Sequence, residues 1–378
     1  MSLESRYEKF QKVFPKSELT LAEWKVMKHW SEVAPGLLRL DMTIFPDSLK
    51  SITWVRSPLN TIMFAPSQTK LAGIFLSYSN VNKVLLPPAC TSVTELDLTG
   101  TPVTKLGLGG SIDSIESLRI TEMLSQRVSL PEGMIKLRTL YVGTEYGKVI
   151  LPKGAVELQE LWVSVGEESV VKIPADYTKL ETVLVQGSVS SLKIPNVITS
   201  IRKLQLKVNT ETCTIPRIEG VVDLSVFSNR LKSVVVPNSL GATLEDVNIS
   251  CMSADTITLA KSMPALKIAI LNSDTADIVI PKSATKLTSI NIRSETASIR
   301  PELPELKSLW VSATDLSIQQ GKTMTELESV YLPCPGDVKV SWPDNLPNLK
   351  SIIVGENVDI DKLKYPVGAV VGRNCVVL

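Results

Sequence analysis

Few residues in this chain are equipped for chemistry, and their spacing limits what that chemistry could be. There is one histidine, His29. A Ser-His-Asp or Cys-His site would have to be built on it, and no nucleophile motif such as G-x-S-x-G accompanies it. Five cysteines, Cys90, Cys213, Cys251, Cys334 and Cys375, are scattered without a C-x-x-C pair. They suit neither a zinc site nor a disulfide framework and read as buried, reduced thiols. The run Gly107-Leu108-Gly109-Gly110 lacks the lysine and helix start of a phosphate loop and reads as turns. Carboxylates remain. Glu95 with Asp97, and Asp223 with Asp246 between Lys203 and Lys207, are the residue types that acid–base cleavage of a glycosidic bond needs. A solvated polar face uses the same residues and is the preferred reading. No metal and no cofactor is expected.

A repeat positions these residues. In Leu137–Pro152, LRTLYVGTEYGKVILP, Leu137, Leu140 and Val142 are spaced as a short strand with one face toward a core. The same spacing recurs in fifteen units, from Leu49, Ile52 and Trp54 to Leu349, Ile352 and Val354, about every 21 residues. The fourth and sixth positions are apolar in every unit, which a chain that is 44% hydrophobic does not produce by chance. A second brief strand closes many units with proline: KVLLP at Pro87, KVILP at Pro152, SVVVP at Pro237, DIVIP at Pro281. Proline has no amide hydrogen to continue a ladder, so it stops that strand and turns the chain. Too few residues separate successive units for an ordinary helix, and too many are β-branched.

The opening hexad and the repeat length resemble the leucine-rich repeat, over roughly Leu37–Val354. The strand-plus-proline close resembles its irregular, two-strand-per-repeat BspA-like type. The usual asparagine is missing, because Gly143 follows Val142 and Ser164 follows Val163, and the Ala-Phe segment usual in that type is missing too. The resemblance implies a mainly β, right-handed solenoid of about fifteen coils. Its parallel sheet would be concave, with short extended second strands on the outer side. A three-sided parallel β-helix with coils of similar length is the competing architecture.

Residues 1–36 differ in kind and are expected to form an α-helical N-terminal cap, with 37–378 as the solenoid. Leu3, Tyr7, Phe10 and Phe14 recur at helical spacing. Thr20 and Glu23 form a capping box ahead of Trp24, Met27, Trp30 and Val33, which predicts a second amphipathic helix containing His29. The segment WKVMKHW also resembles the end of an F-box, which implies an adaptor that recruits a larger assembly. Leu37, Leu40 and Met42 read as a truncated first coil. At the other end, Val370–Leu378 reads either as a β cap or as a lead into further chain.

Third and fifth positions point out of the sheet. Aromatics are 5% of the chain, yet five occupy the fifth column. Outward aromatic and large apolar side chains are the types that dominate binding hot spots. Phe75, Arg119, Tyr141, Trp162, Leu184, Ile270, Trp310 and Tyr331 are therefore the candidate binding residues. The expected function is a non-enzymatic scaffold that binds a protein or peptide on this face. The alternatives are the F-box-like adaptor and a carbohydrate-binding or carbohydrate-active β-helix. A net charge of +1 gives no electrostatic footprint for nucleic acid. No apolar run is long enough to insert in a membrane and the first 30 residues do not read as a signal peptide, so a cytoplasmic location is expected.

Overall fold

Burial follows the hexad. Every first, fourth and sixth position from Leu49 to Val354 is at most 6% exposed, and every fifth position is partly or fully exposed. This is the alternation a pleated strand imposes when one face meets a core and the other does not. The computed structural model describes residues 1–31, 36–123, 127–299, 302–319, 324–333, 337–341, 346–355 and 369–373. It divides into two units, Met1–Glu181 and Thr182–Leu378, each a stack of parallel coils.

In the first unit the hexad strands run in chain order, from Ser51–Thr53 through Gly73–Phe75, Glu95–Asp97, Ser117–Met123 and Thr139–Thr144 to Glu160–Lys172. Like positions face one another, so Leu118, Leu140 and Leu161 are successive rungs. A separate ladder of second strands joins Arg39–Asp41, Thr61–Met63, Lys83–Leu85 and Lys105–Gly107. In the second unit the hexad ladder runs from Thr182–Lys193 to Ser351–Val354. Its second ladder begins at Ser233–Val235, Thr256–Thr258 and Asp277–Ile280. Val370–Arg373 adds one more parallel strand beside Ser351–Val354. The remainder of the expected C-terminal β cap, with Cys334 and Cys375, lies outside the described residues.

One detail differs from the expected short second strands. In Glu160–Lys172, Thr182–Lys193, Ser289–Ile299 and Ser308–Gln319 the two strands of a coil fuse into one. In the first of these Val163 and Val165, and further on Ser169 and Val171, are buried. At Ser289–Ile299 inward positions shift from Ser294 to Ala297, so the strand turns a corner without ending. Gly166 makes the close approach possible, since a Cβ there would collide with the Glu145 carbonyl oxygen.

The N-terminus corrects the sequence reading in two places. α1 (Leu3–Val13) forms as expected, with Phe10 and Phe14 buried, but Leu3 is exposed and Arg6 is buried in its stead. The Arg6 guanidinium donates to the Thr43 and Phe45 carbonyls and pairs with Asp47 at 3.0 Å, which ties the helix to the first coil. α2 (Leu21–Val26) carries the capping box but ends at Val26, and His29–Trp30 is a strand. His29 and Trp30 lie opposite Ser51 and Ile52, so Met27 occupies a first position and Trp30 a fourth. The first coil therefore starts inside the segment read as helix. Leu40, expected on a truncated hexad, sits opposite Ile62 in the second-strand ladder. WKVMKHW is part helix and part strand, and the helix expected of an F-box end is not there; Val33 lies outside the described residues. Trp30 packs edge-on to Phe10 and Phe14 with centroids 5.0 and 5.2 Å apart, and Phe45 links Phe10 to Trp54. These aromatics bury what the first coil would otherwise show to water.

Candidate functional site: the outward column of the hexad strands

In the first unit the parallel register sets Phe75, Asp97, Arg119, Tyr141 and Trp162 side by side on five successive strands. Neighbouring strands are about 4.8 Å apart, so long side chains in this column must touch. The Arg119 guanidinium lies 4.8 Å from the centre of the Tyr141 ring, a cation–π contact. Tyr141 and Trp162 meet at 5.6 Å with their planes tilted by 56°. The Tyr141 hydroxyl donates to Glu160 at 2.5 Å. Burial first, then the carboxylate that holds its proton, push the Tyr141 phenol above its ordinary pKa. On the other side of Arg119 is a cavity of about 180 Å³, walled by Phe75, Glu95, Asp97 and Ser117. Asp97 is fixed there by accepting the Thr99 amide at 2.9 Å.

The second unit uses the same column differently. Trp310 and Tyr331 are opposite in register, and their rings are stacked 5.9 Å apart at 19°. Ile353, on the next strand, is exposed. Leu184 and Ile270 also point outward, with Gln205, Ser225 and Asn248 on the strands between them. Of the predicted residues, then, Arg119, Tyr141 and Trp162 form one group and Trp310 and Tyr331 another. Phe75 reaches the first group only across the cavity, Ile270 lies between Asn248 and Asn291, and Leu184 stands on the first hexad strand of the second unit. Sequence reading missed Glu160, which orients Tyr141. The available signal was its place in the third column, one strand over from a tyrosine in the fifth.

The residues singled out for chemistry resolve as follows. Asp223 and Asp246 are directly opposite, as their columns require. Asp223 pairs with Lys203 at 3.1 Å, while Lys207 lies opposite Phe227 instead. Burial, then the nearby Asp223 and Glu245 carboxylates, raise the Asp246 carboxyl above its ordinary value. Both groups sit half-exposed on an open face, where a carboxylate pair is a matter of charge balance more than of proton transfer. His29 Nδ1 is 2.7 Å from Ser51 Oγ, and among the described residues no carboxylate orients the imidazole. Cys90 and Cys251 are buried and Cys213 is half-buried, all free, with burial pushing the thiols of Cys213 to about 11 and Cys251 to about 12. Among the described residues no three metal-ligating side chains come together, and no helix is long and apolar enough to cross a membrane.

No family model matches the sequence, and no curated protein matches it. Among solved structures the chain is similar to a leucine-rich repeat protein of Leptospira interrogans, at 13% identity over 84% of this chain and 87% of that one, with a TM-score of 0.39. It is also similar to YopM from Yersinia enterocolitica, at 12% identity over 94% and 100% with a TM-score of 0.38. A third is the circular leucine-rich repeat protein CroV588, at 10% identity over 91% and 71% with a TM-score of 0.33. At these scores the likenesses stand as likenesses, and the fold class rests on the strand register and burial given above. By those, each unit is a parallel β-solenoid whose coils repeat one apolar hexad.

Proposed function

We propose that the chain is a non-enzymatic scaffold that binds a protein or peptide on the outward face of its hexad strands, with α1 and α2 capping its first coil. The observation that carries this is the Arg119–Tyr141–Trp162 group. Three large side chains are held by one another and by Glu160 on a rigid sheet, so little conformational freedom is left to lose on binding. Tyr, Trp and Arg are also the types that dominate interface hot spots. The adjoining Phe75–Arg119 cavity offers a recess for one side chain of a partner. The test is affinity capture with the intact chain and with Trp162→Ala, both shown to unfold at the same temperature. A partner kept by the first and lost by the second is expected, and one kept equally by both would sink the assignment.

A second reading, carbohydrate binding, draws on the Trp310–Tyr331 pair. Nearly parallel rings on a sheet make a flat apolar platform of the kind a sugar face can cover. A glycan array probed with the intact chain and Trp310→Ala tests it, and signals that ignore the substitution would remove it.

A further inference from the structure

A larger groove lies in the second unit, lined by second-strand residues and the segments after them, not by the outward column. It holds about 510 Å³, within the usual range of roughly 300–1,000 Å³ for small-molecule sites. Pro237 ends the strand Ser233–Val235 and leads into the four-residue helix Asn238–Gly241. The Lys261 amide donates to Asn238 Oδ1 at 2.9 Å, and a Cβ on Gly241 would collide with the Ser262 carbonyl, so two coils lock tightly beside the groove.

Its charge is one-sided. Arg217 and Lys261 line it, and no carboxylate does. Elsewhere in the unit Lys203, Arg230, Lys267, Arg293 and Lys350 each face an acidic side chain at 2.6–3.9 Å, whereas among the described residues Lys193, Lys207, Lys232, Lys282 and Lys286 do not. Arg217 and Lys261 have no such partner among the described residues. Ser239 also lines the groove, and its hydroxyl oxygen is buried with no hydrogen-bond partner. A buried hydroxyl left unpaired is unfavourable, and one rotation about its side-chain bond would offer it to a ligand. Val235, Pro237 and Leu259 supply apolar wall.

We propose that this groove binds a small organic anion. Its acid group sits between Arg217 and Lys261 and accepts from Ser239, and its apolar body lies on Val235, Pro237 and Leu259. Two cations and a hydroxyl suit a phosphate or a carboxylate alike. The site is independent of the sheet face, so neither reading depends on the other.

The experiment titrates the full chain with phenyl phosphate, benzoate and inorganic phosphate, read by calorimetry and saturation-transfer NMR. It is repeated on Arg217→Ala/Lys261→Ala, two exposed positions, after the unfolding temperatures are matched. Phenyl phosphate or benzoate should bind more tightly than inorganic phosphate and should lose roughly tenfold or more in the double variant. Which of the two binds identifies the acid group. Equal affinity for inorganic and phenyl phosphate, unchanged affinity in the variant, or no binding by about 5 mM would each overturn the proposal.

Discussion

The two aromatic groups share one column of the repeat and differ in what holds them. In the first unit Tyr141 has three partners, Arg119 over its ring, Trp162 tilted beside it and Glu160 on its hydroxyl. In the second, Trp310 and Tyr331 lie almost flat on one another. The third position explains the contrast. The strand after Tyr141 carries Glu160 there, long and charged enough to reach the phenol, whereas the strands of Trp310 and Tyr331 carry Ser308 and Ser329. The fifth column thus decides where a ring stands, and in the first unit the third column supplies the carboxylate that accepts from it. The first group is built to present fixed polar and aromatic contacts, the second to present a plane.

The largest effect tests what the two groups share. Leu140→Asp beneath the first and Leu309→Asp beneath the second should each cost more than about 4 kcal/mol, because a charge is forced into a core position. Denaturant unfolding of both variants measures it, and near-wild-type midpoints would mean the register is wrong. A smaller effect separates the column from the core. Leu161→Ala should destabilise by about 2–5 kcal/mol. Trp162→Ala, half-exposed, should cost less than the leucine beside it, and the same order should hold for Leu309→Ala against Trp310→Ala. If either tryptophan costs as much as its leucine, that ring is core and its group is no site.

The smallest effect is specific to the first group. Folding raises the Tyr141 pKa, so between the ordinary tyrosine value and the folded one the native state keeps a proton that the unfolded chain has lost. The stability contributed is complete below about pH 10 and falls as pH rises through the folded pKa. Glu160→Gln should bring the Tyr141 titration, followed by phenolate absorbance, down toward the ordinary value and flatten that alkaline loss. A titration that does not move would mean the hydroxyl is not held by Glu160.

The sequence carried the register because burial of Leu49, Ile52, Trp54 and their counterparts admits one reading of the alternation. The first coil is legible in the same spacing. A step of 22 residues back from Leu49 and Ile52 lands on Met27 and Trp30, where the structure places it. The helical spacing of Trp24, Met27 and Trp30 competed with that step, and strand pairing with Ser51–Thr53 won over local propensity. The fused strands were hidden because the break between first and second strand depends on whether positions past the hexad stay buried, as Val165, Ser169 and Val171 do. The site was legible only as a list. Columns follow from spacing, but that the Arg119 guanidinium lies over the Tyr141 ring depends on side-chain packing that spacing does not encode. Arg6 was missed for a related reason, since its carbonyl partners at Thr43 and Phe45 have no signature in side-chain type.

The rung-by-rung register has a consequence for how the chain comes to be folded. Contacts such as Lys179 with Glu157 or Lys267 with Glu245 span 22 residues of a 378-residue chain, a relative separation of about 0.06. That is lower than in most helical bundles, although the regular secondary structure among the described residues is almost all strand. Closing each coil costs only a short loop, and each new strand finds its template in the strand just before it. During synthesis a coil can dock soon after its own residues leave the ribosome. At any moment the growing end exposes one unpaired strand, not a whole unfolded sheet.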